Sequence, residues 1–305
     1  MRRRLLVAGL AACLIIVAGS AFALTRPPSV PRRGALPARP VSYVGLYTAG
    51  LPASYAGVTA FSQATGVSPT LVSYYSGWYE PFQAGFARTV SRHGAVPLVQ
   101  INPTRVSLAA IVAGQYDPYL RSFARAVRAY GQPVILGFGH EMNGPWYPWG
   151  YHHTPAAVFV AAWRHVVTVF RAAGAGNVTW LWTVNTINAL GRQIPSPAAW
   201  WPGSAYVTWV GIDGYFHRRS SQFASVFGPT IAAVRELTKD PIIISETGAG
   251  PATDQAAKIA SLFAGVRTYD LLGFLWFDTI GNADYRIDTQ ASIAAFRAGA
   301  RTMRA

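Results

Sequence analysis

Pro133–Gly150, PVILGFGHEMNGPWYPWG, sets a short apolar run against a dense polar and aromatic one. Pro133–Leu136 reads as a buried strand. At its mouth stand His140 and Glu141, followed closely by Trp146, Tyr147 and Trp149. An acid, hydrogen-bonding groups and flat rings gathered at a strand end are what a sugar-cleaving site requires. The question for the rest of the chain is whether other strands end in the same way.

Working outward from this run, short β-branched stretches alternate with longer amphipathic ones. Strands are expected at Tyr43–Tyr47, Thr70–Tyr74, Ala95–Ile101, Pro133–Phe138, Val178–Val184, Val207–Asp213, Pro241–Ser245 and Leu271–Phe277. Helices are expected after Asp117-Pro118 and over Ala156–Ala173 after Thr154-Pro155, each pairing a capping residue with proline at the first helical position. Gly131 and Gly174 suit helix ends. Eight β-then-α units over about 265 residues match an α/β fold of the (β/α)8, or TIM-barrel, type. A doubly wound sheet is disfavoured, because Tyr43–Tyr47 is followed by Thr48-Ala49-Gly50-Leu51-Pro52 and not by a glycine-rich phosphate loop. The barrel places functional residues at the C-terminal ends of strands. Tyr75, Glu80, Asn102, His140, Glu141, Asn185, Asp213, Tyr215, Glu246, Trp276 and Asp278 all fall there.

The chain has 305 residues, 51% of them apolar, and a formal charge of +14. Seven of the arginines precede residue 41, where no acid occurs, and the remaining positive charge forms no long run. A solvated basic surface is expected, and no nucleic-acid partner. The N-terminus reads as a targeting segment: Arg2–Arg4, then twenty uncharged residues, Leu5–Leu24, with Ala21-Phe22-Ala23 fitting a small-x-small cleavage site. The same twenty residues suffice to span a bilayer, so an uncleaved anchor is the alternative. Leu10-Ala11-Ala12-Cys13 resembles a lipobox but ranks below both. Cys13 is the sole cysteine, so no disulfide supports the exported part. Residues 25–40 are rich in Pro and Arg and read as an extended tether, leaving 41–305 for the barrel.

The chain has only four glutamates, Glu80, Glu141, Glu236 and Glu246. Two of them follow strands four and seven, which face each other across a barrel mouth. Glycoside cleavage needs one protonated carboxyl to expel the leaving oxygen and one ionised carboxylate to attack or to activate water. A separation of about 5–5.5 Å gives retention and about 6.5–9.5 Å inversion, and the sequence leaves both open.

His140-Glu141-Met142-Asn143-Gly144, with Trp146 five residues after the glutamate, resembles glycoside hydrolase family 26, the β-mannanase-like group of retaining barrel glycosidases. Trp180-Leu181-Trp182 with Asn185, Gly211–Tyr215, Ile244–Gly248, and Trp276-Phe277 with Asp284–Arg286 resemble further pieces of that family in the same order. The resemblance implies Glu141 as general acid/base and Glu246 as nucleophile. It implies that Tyr215 hydrogen-bonds Glu246 and that His140 contacts the sugar or the carboxylates. Trp276 would floor the subsite of the cleaved sugar, Trp146 would stack the sugar on the leaving side, and Asn185 would offer its amide to a hydroxyl. Gly137 stands where many family members carry arginine, Thr247 where phenylalanine is common, and Tyr285 where tryptophan is common.

Other readings are set aside. His152-His153 lacks a third ligand, and Gly144 occupies the place of the second histidine of a zinc-protease motif. Asp278, Asp284 and Asp288 lack a calcium-loop glycine and read as a salt-bridged loop. Phe159, Trp163 and Phe170 read as core, Trp200-Trp201 as either sugar platform or packing, and Glu80 as solvated. No GxSxG elbow or Walker loop occurs. The expectation is an exported, monomeric, cofactor-free β-glycosidase with no metal. It acts on a polysaccharide or oligosaccharide, with β-1,4-mannan first and mixed-linkage glucan, xylan or the producer's own exopolysaccharide behind it. The alternative is a catalytically weak glycan-binding protein at the cell envelope.

Overall fold

The computed structural model describes residues 36–187 and 194–303, within a compact unit Pro31–Ala305. The expected targeting segment and most of the tether lie outside the described residues. Eight parallel strands close into a barrel in sequence order, with β8 pairing back onto β1. They are β1 (Tyr43–Thr48), β2 (Leu71–Gly77), β3 (Val96–Asn102), β4 (Val134–Phe138), β5 (Val178–Asn185), β6 (Trp209–Asp213), β7 (Ile242–Thr247) and β8 (Gly273–Asp278). The helices are α1 (Ala56–Thr65), α2 (Ala84–Arg92), α3 (Leu108–Val112), α4 (Asp117–Tyr130), α5 (Ala156–Ala172), α6 (Phe223–Leu237), α7 (Gln255–Thr268) and α8 (Gln290–Ala300).

Strands of a parallel barrel are buried on both faces, which is why VILGF and III read as unbroken apolar runs. Their side chains divide into two cores. One fills the lower barrel with residues from most strands, among them Tyr43, Leu71, Leu98, Ile135, Leu181, Trp209 and Ile243. The other lies between the strands and the helices, where Phe159, Trp163 and Phe170 of α5 are wholly buried. Each such aromatic ring contributes about 1.5–3 kcal/mol by leaving water. Leu36 and Pro37 close the lower end: Leu36 N donates to Thr179 Oγ1 at 2.9 Å, and Tyr43 OH donates to Pro37 O at 2.7 Å. The last residues read as tether therefore pack against the barrel floor.

Two helix starts differ from expectation by one position. Asp117 is inside α4, not before it, and its carboxylate accepts from Arg121 at 2.9 Å and His165 at 2.6 Å. Thr154 lies outside the cap of α5, which is Pro155, and its hydroxyl donates to Pro148 O at 2.8 Å. Gly131 ends α4 in the left-handed conformation, φ 74°, as its lack of a Cβ permits.

Candidate active site

At the C-terminal ends of the strands a cavity of about 370 Å³ opens, lined by Glu141, Trp146, Tyr147, Asn185, Tyr215, His217, Glu246, Phe277 and Tyr285 among others. The two glutamates approach it from opposite walls. β4 stops at Phe138, and Gly139 and Glu141 then take left-handed φ values of 56° and 55°. For Glu141 this conformation costs about 1–3 kcal/mol, which the surrounding contacts must offset. Those contacts are several. Glu141 N donates to Thr183 O at 2.9 Å, and Trp149 Nε1 donates to His140 O at 2.8 Å. The buried Asn143 amide exchanges two 2.8 Å bonds with the backbone of Asn185, clasping the β4 loop to the end of β5.

The carboxyl of Glu141 is buried. Asn185 Nδ2 donates to Oε1, and Trp146 Nε1 donates to Oε2 at 2.6 Å. Burial pushes its pKa up to about 8, with the nearby negative charge of Glu246 adding to the rise and the two donors opposing it. Glu141 is therefore largely protonated at neutral pH. Glu246 accepts a hydrogen bond on each oxygen, from Tyr215 OH on Oε1 and from Tyr75 OH on Oε2. Burial raises its pKa too, while both phenols pull it down. Two phenolic donors on Glu246, against an acid raised further by its neighbour's charge, make Glu246 the first of the pair to ionise. A third carboxyl, Asp213, lies buried beside them and accepts from Ser245 Oγ at 2.6 Å. Burial, then the charges of Glu246 and Glu141, raise it well above the usual carboxylate range.

The other expected site residues divide. Tyr215 donates to Glu246 as the resemblance implied. Asn185 faces the cavity, but its amide holds Glu141 instead of standing free for a sugar. Trp146 does both jobs: its N–H holds Glu141 while its ring, 37% exposed, keeps a face on the cavity. A Cβ on Gly144 would come within 2.3 Å of that ring, so the indole can lie where it does only over glycine.

His140 is not at the surface of the cavity. It is buried behind Tyr147, with Nδ1 3.0 Å from Asn102 Oδ1 and Nε2 3.1 Å from Tyr147 OH. Burial lowers its pKa to about 3, so it is neutral, and it touches neither carboxylate. Tyr147, stacked on Trp149 at 4.5 Å, is the residue that lines the cavity in its stead.

Trp276 is also displaced from its expected role. It is wholly buried in the outer core, near Phe296 of α8, and its Nε1 donates to Tyr285 O at 2.8 Å. Strand side chains alternate between faces, so the next residue, Phe277, points to the cavity, stacked at 4.5 Å on Tyr47. The sequence reading missed the role of Tyr75; its only signal was its place near the end of a strand.

At Gly137 the structure shows what fills the space. An added Cβ would lie 1.8 Å from Gln100 Oε1, because the Gln100 side chain crosses over Gly137 from β3 to donate to Thr183 Oγ1 on β5 at 3.1 Å. Elsewhere, Trp200 is buried and Trp201 packs on Trp182 at 4.9 Å, so this pair is packing. Asp284 and Asp288 both face Arg286, at 2.6 and 3.9 Å, in the salt-bridged loop expected.

A closed (β/α)8 barrel with a proton-holding and an ionisable carboxyl in one aromatic cavity at its upper mouth has the construction of a glycoside-cleaving enzyme. Comparison with known proteins narrows this. Residues 119–252, which carry both glutamates, match Glycosyl hydrolase family 26, so the resemblance read from the sequence holds. Over 265 residues, 81% of this chain, the protein is 28% identical to Endoglucanase H of Acetivibrio thermocellus, and it spans 29% of that relative's length. The fold is similar to the GH26 domain of an endo-beta-mannanase/endo-beta-glucanase from Prevotella bryantii, with a TM-score of 0.64 at 13% identity, covering 86% of this chain and 92% of the other. It is also similar to an endo-beta-1,4-mannanase from Cellulomonas fimi, with a TM-score of 0.66 at 17% identity, covering 86% and 71%.

Proposed function

We propose that the protein is a retaining, endo-acting β-glycosidase with Glu141 as general acid/base and Glu246 as nucleophile. The observation that carries this reading is the unlike setting of the two carboxyls. Glu141 is held protonated by burial and a neighbouring charge, while Glu246 is offered two phenolic donors. In the first step a Glu246 oxygen attacks the anomeric carbon and the bond to the leaving oxygen breaks as Glu141 gives it a proton. In the second, Glu141, now a carboxylate, takes a proton from water as that water displaces Glu246 and frees the sugar. Tyr75 and Tyr215 orient the nucleophile, and Trp146 and Phe277 offer ring faces to the sugar's C–H groups.

The proposed substrate is β-1,4-mannan or a related β-glycan. β-Glucan is a second reading, favoured by the match to Endoglucanase H. The protein is taken to act as a monomer, with residues 1–24 directing export or anchoring it, residues 25–40 as tether and residues 41–305 as the catalytic domain. The Arg-rich start and uncharged run support export, which sequencing of the mature N-terminus would test.

The enzymatic test is hydrolysis of β-mannan, mixed-linkage β-glucan and β-xylan, with product anomers followed by NMR. The wild type is expected to release β-anomers first, and Glu141→Ala and Glu246→Ala are each expected to abolish turnover. Retardation in polysaccharide gels without release of sugar from any polymer would instead establish the glycan-binding alternative.

A further inference from the structure

The loop after β6 carries more than Tyr215. His217 lines the cavity, its ring 6.1 Å from that of Tyr215, and the exposed Arg218 and Arg219 follow directly. Beneath them Lys258 of α7 is buried, and its ammonium donates to Arg219 O at 2.6 Å. Among the described residues no carboxylate lies within 4.0 Å of Arg218, Arg219 or Lys258. Asp284 and Asp288, on the loop after β8, are both turned to Arg286. Arg218 stands close enough to His217 for its charge to join burial in lowering that imidazole's pKa.

The loop is also held firmly. Gly214 N donates to Glu246 O and Phe216 N to Gly248 O, both at 3.0 Å, and Arg218 N donates to Ser221 Oγ at 3.1 Å. Burying an ammonium against a single carbonyl is costly, so Lys258 spends solvation to fix the backbone that presents the arginines. A rigid arm with two unpaired guanidinium groups, starting at a cavity-lining residue, lacks only an anion. Guanidinium forks match carboxylates in a two-point fashion.

We propose that His217, Arg218 and Arg219 form an anion subsite that recognises a carboxylate on the glycan, so that the substrate is an acidic β-glycan. This rests on the glycosidase reading for the use of the cavity, but binding tests it separately. The carboxylate is either a uronic acid of the polymer or an acidic substituent on a neutral sugar, and two polymers separate these sources. Nucleic acid fits poorly, because the arm borders a cavity whose base holds three carboxyl groups.

The experiment measures kcat/KM, and affinity by retardation in gels, for two matched pairs. One is glucuronoxylan with its carboxyl-reduced form; the other is mixed-linkage β-glucan with its carboxymethylated form. Binding is read on Glu246→Gln to stop turnover, and on the wild type at low temperature in case that variant misfolds. A preference of about 10-fold or more for the charged member of at least one pair is expected, weakening as salt shortens the Debye length below about 10 Å. The preference should fall at least 5-fold in Arg218→Gln/Arg219→Gln. It should persist in Arg88→Gln/Arg125→Gln, which removes the same charge from exposed positions on α2 and α4. No preference in either pair, or an equal loss in both double variants, would overturn the proposal. Charge-selective, arm-dependent binding without hydrolysis of any polymer would sustain the subsite and overturn the glycosidase reading instead.

Discussion

Replacing the buried acid with its amide, Glu141→Gln, should remove activity and at the same time make stability less dependent on pH. Glu141 is ordinarily a carboxyl of pKa 4.5 and is held at about 8 in the fold. Between those values the folded protein keeps a proton that the unfolded chain has lost. A rise in pH through this window therefore draws on folding stability, and the contribution is fully lost once pH exceeds about 8. With about 1.4 kcal/mol per pH unit in the linear region, moving from pH 6 to pH 8 costs the wild type about 2 kcal/mol through this group alone. The amide pays nothing of the kind. It does lose an acceptor opposite Asn185 or Trp146, but that penalty is the same at both pH values and cancels in the difference. The measurement is urea or thermal unfolding of both proteins at pH 6 and pH 8. The stability of Glu141→Gln relative to wild type should rise by about 2 kcal/mol between them, or about 4–8 °C in Tm for a domain of this size. An unchanged gap would show that Glu141 already ionises near its ordinary pKa, and the assignment of the general acid would fall with it.

Other changes probe separate parts of the site. Tyr75→Phe deletes one donor to Glu246 and should lower kcat by roughly 10-fold or more. It should also move the acidic limb of the pH–rate profile upward, because the carboxylate loses a partner that favours its charged form. Trp276→Ala should lower stability by about 3–5 kcal/mol, measured by urea denaturation, as a wholly buried ring is lost. Phe277→Ala should act mainly on KM, seen in steady-state kinetics. Gly137→Ala drives a methyl group into Gln100 and should cost about 1–3 kcal/mol, much of which Gln100→Ala in the same chain should restore in a double-mutant cycle.

All eight strands were legible because their two-sided burial leaves apolar runs that survive any uncertainty about partners. Helix starts were less so: Asp117 and Thr154 are good capping residues by type, yet their side chains found other partners. Which face of β8 looks into the cavity was not legible at all. Trp276 and Phe277 are adjacent and both aromatic, so alternation offers no polar–apolar contrast to tell inside from outside. Glu141 and Glu246 stood out because glutamate is scarce, whereas Tyr75 did not, since the group it serves is 171 residues away. His140 was misplaced for a related reason. Its neighbour Glu141 turns into the cavity through a left-handed residue, and nothing in the sequence says that the turn leaves the imidazole behind.

The two glutamates are supported by different residues of the rim: Asn185 and Trp146 for one, Tyr75 and Tyr215 for the other. None of these hydrogen bonds links the two sets, so the carboxyls sense each other through charge across the cavity. After burial, the charge of Glu246 is what lifts the proton affinity of Glu141. In the proposed mechanism, esterification of Glu246 to the sugar would remove that charge, and Glu141 would become a weaker holder of its proton as its task changes from donating one to accepting one. The reaction itself would thus reset the acid for its second role, with no movement of the barrel and no further titratable group.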